Sequence, residues 1–281
     1  MKQSISDKEF TLLKDLIGQE FGLSFKTYTK EDLAKKLLPR LKKLRMMSFG
    51  EYYDYLTEDF SAKAELNALP ASIMNTESYF LREFPQYRLF IELLQQLVES
   101  GKADLCKTVR ILSAGCAFGQ EPYSISMLLR TYKKALLGWK IHITAIDINP
   151  AALEKAQIGV YHSYSFRNSN SDFTKKYFAK TEKDYYRLDS DIIRSVDFKQ
   201  ANILDSASFR DSPALDFIFC RNVLIYMNLS AENRIARNFW EALSKGGYLF
   251  LGQSESFRRQ TKLFNPVQFP DVTVYQKKLL P

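Results

Sequence analysis

Apolar positions in residues 1–70 recur at helical spacing. Phe10, Leu13 and Ile17 form one stripe, and Leu33, Leu37, Leu41 and Leu44 form another. No alternating or β-branched run interrupts them, so residues 1–72 are expected to form an all-helical N-terminal domain. The second stripe predicts an amphipathic helix. Lys35, Lys36, Arg40, Lys42 and Lys43 project from the side opposite the leucines, and Arg45 alone strays from that face. Pro39 predicts a kink or a fresh start within it. Such a basic face is either simply solvated or a docking surface for an acidic partner.

From residue 108 the texture changes. Short apolar runs alternate with helical segments, the pattern of an α/β domain. Strands are expected at Val109–Ala114, Ile141–Asp147, Val196–Gln200, Leu215–Cys220, Tyr248–Gly252, Leu263–Val267 and Val272–Gln276. Helices separate the early strands, as a parallel sheet requires. Only Gln268–Asp271, with Pro270, lies between the last two, so they should form a hairpin that leaves one strand antiparallel. Seven strands closing on a hairpin resemble the Rossmann-like class I methyltransferases that use S-adenosylmethionine. Residues 73–281 are assigned to this domain. The stretch from the second strand to the third is longer than a crossover needs, so part of Tyr161–Arg194 is expected to be an inserted element.

Composition narrows the class. The chain has 281 residues, 46% of them apolar and 26% charged, which excludes a disordered chain. No window approaches the roughly 20 apolar residues of a membrane span. The start, MKQSISDKEF, lacks a charged-then-apolar signal pattern. Cys106, Cys116 and Cys220 form no CxxC, which fits a reducing cytoplasm. The two histidines, His142 and His162, make no ligand cluster, so no metal and no Ser/His/Asp triad is expected. His142 lies in an apolar stretch and reads as structural. The net charge is +8, which keeps an RNA substrate in play.

Three strand ends carry candidate chemistry. The first runs into Ser113-Ala114-Gly115-Cys116-Ala117-Phe118-Gly119-Gln120-Glu121-Pro122-Tyr123, where the glycines permit a tight turn and close ligand approach. The second ends at Ala145-Ile146-Asp147-Ile148-Asn149-Pro150, placing an acid where doubly wound folds grip a ribose. The spacing from the glycines to Asp147 exceeds the dinucleotide fingerprint and argues against NAD. The fourth delivers Cys220-Arg221-Asn222-Val223-Leu224-Ile225-Tyr226, so Arg221, Asn222 and Tyr226 should face the site. It lacks the Asn/Asp-Pro-Pro-aromatic turn of many base-modifying enzymes, which weighs against a nucleobase substrate.

These segments together resemble the bacterial chemotaxis receptor methyltransferases, the CheR family, across nearly the whole chain. Asn75–Glu83 (NTESYFLRE) resembles the family's Thr-Asn-Glu-Thr-Tyr-Phe-Phe-Arg-Glu block. Ser113–Tyr123 resembles its Ser-Ala-Gly-Cys-Ser-Thr-Gly-Glu-Glu-Pro-Tyr turn. Ala145–Asn149 resembles its Thr-Asp-Ile-Asp strand end, and Cys220–Tyr226 its Cys-Arg-Asn-Val-Met/Leu-Ile-Tyr run. Gly247–Phe257 (GYLFLGQSESF) resembles its Gly-x-Leu-x-Leu-Gly-His-Ser-Glu-x-Phe strand. The departures are the Asn75-Thr76 order, Ser78 for Thr, Ala117 and Phe118 for Ser-Thr, and Gln120 for an acid.

The resemblance implies a protein-glutamate O-methyltransferase that esterifies receptor glutamates in sensory adaptation. It implies cofactor contacts from Thr76, Ser78, Arg82, Glu121, Asp147, Asn202, Ile203, Arg221 and Asn222, with Arg82 and Tyr226 beside the transferring methyl. S-adenosyl-L-homocysteine would be the product. The resemblance also implies that the inserted element is a small β-subdomain at about 163–195. The expected partners are acidic receptor methylation helices, meeting Lys35, Lys36, Arg40, Lys42 and Lys43. Neither nucleic-acid binding nor membrane insertion is expected, and binding of a receptor C-terminal peptide is left open. The alternatives are a methyltransferase acting on RNA or another protein, and a non-enzymatic sensor of S-adenosylmethionine.

Overall fold

The structure, a computed structural model, describes residues 4–25, 28–74, 77–100, 107–134, 136–167, 171–210, 214–257 and 262–278. The N-terminal part holds helices α1 (Asp7–Phe21), α2 (Lys30–Leu44), α3 (Phe49–Glu58) and α4 (Lys63–Ile73). Capping boxes start the first two. Ser6 and Glu9 exchange side-chain and backbone hydrogen bonds at α1, and Thr29 and Asp32 do the same at α2. Leu33, Leu37 and Leu41 are fully buried.

Of the kink or fresh start expected at Pro39, the fresh start does not occur, because α2 runs through it to Leu44. Pro39 sits on the exposed side of the helix, where water can serve the carbonyl that loses its partner. Packing of the leucine stripe then outweighs the local penalty. The basic face also needs correction. Arg40 forks onto the carboxylate of Glu65, donating from Nε to Oε1 at 2.8 Å and from Nη2 to Oε2, and the Tyr52 hydroxyl donates to Oε1 at 2.7 Å. Lys36 donates to the Ile73 carbonyl at 2.6 Å and lies over the Tyr28 ring. Lys35, Lys42 and Lys43 remain exposed.

Helix α5 (Phe84–Glu99) leads to the α/β part. There follow β1 (Thr108–Ala114), α6 (Gln120–Thr131), β2 (Lys140–Asp147) and α7 (Pro150–Ile158). Next come β3 (Val160–His162), α8 (Ser171–Tyr177), β4 (Phe178–Glu182), β5 (Tyr185–Leu188) and α9 (Ser190–Ile193). The chain continues through β6 (Val196–Gln200), α10 (Ala207–Arg210), β7 (Leu215–Cys220) and α11 (Leu229–Ala242). It closes with β8 (Leu243–Leu251), β9 (Phe264–Gln268) and β10 (Thr273–Lys277).

Seven strands form one sheet in the order β6-β2-β1-β7-β8-β10-β9. Its first five run parallel, and β10 pairs antiparallel with both β8 and β9, as the terminal hairpin predicts. Each expected strand is present, although β8 begins earlier, at Leu243. The order reverses between β1 and β7, which opens a crevice at their carboxyl ends. A separate three-stranded antiparallel sheet, β3-β5-β4, is the inserted element. His142 stands exposed on β2 rather than in the core.

Helix α5 packs on one face of the large sheet, with Phe90 edge-on to Phe217, Phe219 and Phe250. On the other face, Leu112, Ala114, Ile218 and Cys220 share one core with α11 and the N-terminal helices. The link between the two parts is also backbone-bonded. Leu23 forms an antiparallel bridge with Met227, Ser24 N–H donates to the Tyr226 carbonyl at 2.7 Å, and Asn228 N–H donates to the Gly22 carbonyl at 2.8 Å. The N-terminal helices are thereby fixed against the loop that carries Tyr226.

Candidate functional site

A single cleft opens over the carboxyl ends of β1, β2 and β7. Phe21, Pro70 and Met74 from the N-terminal helices wall one side. Ser78, Arg82, Glu121, Asp147, Asn202, Ile203, Arg221, Asn222 and Tyr226 all line it, so the sequence-expected residues converge on one space. Thr76 lies outside the described residues.

The glycine turn is built by conformation. Gly115 has φ +75°, and a Cβ there would meet Val223 Cγ2 at 2.6 Å. Gly119 has φ +85°, with a Cβ 2.9 Å from that of Ala156. Between them Ala117, itself at φ +47°, turns its N–H onto Asp147 Oδ2 at 2.8 Å. Asn149 N–H donates to Asp147 Oδ1 at 2.9 Å. The turn therefore orients Asp147 with a backbone group, and the two hydroxyls missing at 117 and 118 are not needed for this. Each oxygen of Asp147 keeps a lone pair for another donor. Burial raises the Asp147 pKa above the ordinary carboxylate range, against the lowering effect of these backbone bonds.

At the cleft floor lies a buried charge network. The Arg221 side chain is 2% exposed, with Nη1 3.3 Å from Glu121 Oε2 and Nη2 3.4 Å from Glu83 Oε2. Nη2 also donates to the Arg82 carbonyl, and the guanidinium lies 5.1 Å from the centre of the Tyr87 ring. Burial works against the Arg221 charge, but Tyr87, Glu121 and Glu83 over-compensate and lift its pKa above the usual arginine range. Ser113 Oγ donates to Glu121 Oε1 at 2.7 Å. Burial raises the Glu121 pKa, while Arg221 and Ser113 oppose the rise.

The neighbouring loop is held by a second acid. Glu255 accepts from Gly252 N–H at 2.7 Å and Asn222 N–H at 2.8 Å on Oε2, and from Ile225 N–H at 3.2 Å on Oε1. These bonds keep Asn222 at φ +60° and fix the turn that leads to Tyr226. Burial raises the pKa of Glu255 as well. Asn202 Oδ1 accepts from Leu204 N–H at 3.0 Å, and Asn238 Nδ2 donates to the Ile203 carbonyl at 2.9 Å.

Arg82 is held differently. Its side chain is 30% exposed, and its contacts are long: 3.9 Å to Glu83 Oε1 and 3.5 Å to the Glu77 carbonyl. It is the loosely tethered cation of the cleft, in contrast to Arg221. The sequence reading did not single out Tyr87 or Glu255, and it considered Glu83 only as a salt-bridge partner of Arg82. Glu83 and Glu255 stand inside family-like blocks, but only the fold shows that they are buried partners of backbone and arginine.

The donor set fits S-adenosylmethionine. Asp147 offers acceptors for ribose hydroxyls, Ile203 and Asn202 offer an apolar-edged bay, and Glu121 offers an acceptor for the amino group of an amino-acid arm.

Comparison with known proteins agrees with this geometry. Residues 76–273 match the CheR methyltransferase, SAM binding domain, and residues 8–73 match the CheR methyltransferase, all-alpha domain. "Chemotaxis protein methyltransferase 2" of Vibrio cholerae is 34% identical, covering 97% of this chain and 94% of its own length. The "Chemotaxis protein methyltransferase" of Borreliella burgdorferi is 30% identical (92% and 92% coverage). That of Escherichia coli is also 30% identical (93% and 88%). With both family domains matched in order and the cleft lined from both of them, the chain belongs to the CheR methyltransferase family.

Proposed function

We propose that this protein transfers the methyl group of S-adenosylmethionine to glutamate side chains of chemoreceptors, forming methyl esters in sensory adaptation. One observation carries the reading: Asp147, Glu121, Arg82 and Tyr226 converge on one cleft at the sheet's switch point. The names of the related proteins supply the substrate class.

When bound, the cofactor supplies a methyl group on a positively charged sulfur. The chain's residues hold and aim the reactants. Asp147 accepts from the ribose, Asn202 and Ile203 border the adenine, and Glu121 fixes the amino-acid end. A glutamate acceptor has a pKa near 4.3, so it is already anionic at neutral pH and needs no general base. Arg82, held only by contacts of 3.5 Å or longer, orients the acceptor, and Tyr226 borders its path. Alignment and exclusion of water are then the protein's contribution to rate.

The receptor's methylation helix is acidic by chemistry, since it carries the glutamates. Lys35, Lys42 and Lys43 are the exposed cations of α2 suited to meet it, and Lys36 and Arg40 are engaged inside the N-terminal helices. The reading places the protein in the cytoplasm. No helix among the described residues is long and apolar enough to cross a membrane.

The test is transfer of labelled methyl from S-adenosylmethionine to receptor-containing membranes. Label released by mild base marks an ester and supports the reading. Base-stable label, or none, overturns it, and product binding without transfer favours a sensor.

A further inference from the structure

The segment that carries Ser78 and Arg82 has no regular secondary structure, and Leu81 and Glu83 on either side of Arg82 both have φ +56°. Such a segment keeps its shape only if its surroundings hold it. Leu81 N–H donates to Ser124 Oγ at 3.0 Å and Arg221 donates to the Arg82 carbonyl, and the rest of the hold comes from the small antiparallel sheet and its entry turn. Phe80 N–H donates to the Ser165 carbonyl at 2.9 Å, and the Phe80 ring is buried against Tyr161, Phe166 and Phe178.

At the outer end one side chain dominates. The Arg167 guanidinium lies 3.8 Å from the centre of the Tyr79 ring and pairs with Glu77 Oε1 at 2.9 Å. Its own position is fixed by the Tyr164 carbonyl at 3.1 Å and by the Tyr164 ring at 4.3 Å. Arg82 approaches the same Tyr79 ring from a looser 5.4 Å and leans on the Glu77 carbonyl. Tyr79 and Glu77 are therefore shared: Arg167 grips them tightly and Arg82 rests on them.

We propose that Arg167 is a positioning residue for methyl transfer, clamping Tyr79 and Glu77 so that Arg82 is presented to the acceptor carboxylate. This rests on the proposed function of Arg82. Because the Glu77 carboxylate pairs with Arg167, it is kept from capturing Arg82. Planarity matters as much as charge, since a guanidinium can stack on one ring and fork to a carboxylate together.

The test uses the full chain, with initial rates measured against receptor concentration and product affinity measured by calorimetry. Arg167→Ala is expected to lower kcat/KM for receptor about tenfold while product affinity stays within about twofold, the scale of a lost stacked ion pair. Arg167→Lys should recover only part. In an Arg82→Lys background, where the stacked partner is already gone, Arg167→Lys should cost less than about twofold, because the clamp acts through Arg82. Independent, multiplicative losses would overturn the proposal, as would a fall in product affinity matching the fall in rate. If Arg167→Ala fails to fold, the Lys variants and their cycle still decide. Absence of transfer by the unaltered protein would instead sink the proposed function.

Discussion

Glu255 offers the sharpest test of how the site is held, because it touches no expected substrate. In Glu255→Gln the amide can point its oxygen where Oε2 stands, keeping the bonds from Gly252 and Asn222 at 2.7 and 2.8 Å. Its NH2 then faces the Ile225 N–H, donor against donor, at the place of a 3.2 Å bond. The reverse orientation loses two bonds, so the first is favoured. Loss of one bond to a charged acceptor costs about 1.5–3 kcal/mol. Water can serve the exposed Ile225 side of the loop, which places the value near the lower end, about 1.5 kcal/mol. Glu255→Ala orphans all three N–H groups and should cost about 3–5 kcal/mol. At this chain length each kcal/mol lowers the melting midpoint by about 2–4 °C. The charge adds a signature. Burial raises the Glu255 pKa, so wild-type stability linked to this acid is present at low pH and lost as pH rises through that raised value, and its advantage over the non-titrating glutamine grows as pH falls. Thermal and denaturant unfolding across pH check this, and calorimetry with product should show weakened binding by Glu255→Ala, in which Asn222 loses its anchor. A Glu255→Gln protein as stable as wild type at neutral pH, or an alanine variant no worse than the glutamine one, would refute the reasoning.

Arg221→Lys should destabilise the fold by about 3 kcal/mol, since an ammonium cannot serve both Glu83 and Glu121, and denaturant midpoints would show it. Asp147→Asn should weaken product binding by about 10- to 100-fold in calorimetry, through loss of a charged hydroxyl acceptor. Burial raises both Asp147 and Glu121, and ligand recognition uses their ionised forms, so product affinity should fall as pH drops through those raised values. The ligand-free fold has the opposite sign: stability linked to these two acids is present at low pH and lost as pH rises through their raised values. Charge reversal at Lys42 and Lys43 should slow receptor association at low salt and matter less at high salt, read from initial rates. Arg40→Ala should instead lower the melting temperature, because it strands Glu65, whose side chain is 5% exposed.

Much of the α/β architecture was legible because its signals are local. Strands β1, β2 and β7 are short apolar runs followed by turns, and the Gln268–Asp271 interval announces a hairpin whatever surrounds it. The residues that line the cleft were legible for a related reason, since the carboxyl ends of strands are where a doubly wound sheet receives ligands. The fresh start at Pro39 was misread because its penalty is read locally, while the packing that outweighs it comes from Leu33, Leu37 and Leu41. Lys36 and Arg40 were misread for a different reason: helical projection separates polar from apolar positions but does not reveal that Ile73 and Glu65 come to meet them.

That distinction explains how charge is divided in this protein. Arg221, Arg40 and Arg82 are the same residue type, and their sequence surroundings do not rank them. The fold separates them by how closely each guanidinium is enclosed by its charged partners. Arg221 is enclosed by two carboxylates, a carbonyl and a ring, and Arg40 by a bidentate acid, so neither can leave its place without stranding a buried charge. Arg82 has only contacts at 3.5 Å or beyond, on a segment whose shape is imposed by its neighbours. A cation that must meet a new carboxylate in every catalytic cycle has to be cheap to detach, yet start from a defined position. Arg221 holds the backbone beneath it through the Arg82 carbonyl, and Arg167 holds the ring beside it. On the proposed role, the freedom of the Arg82 guanidinium rests on the fixed positions of Arg221 and Arg167, and weakening either should misplace Arg82 before it unfolds the protein.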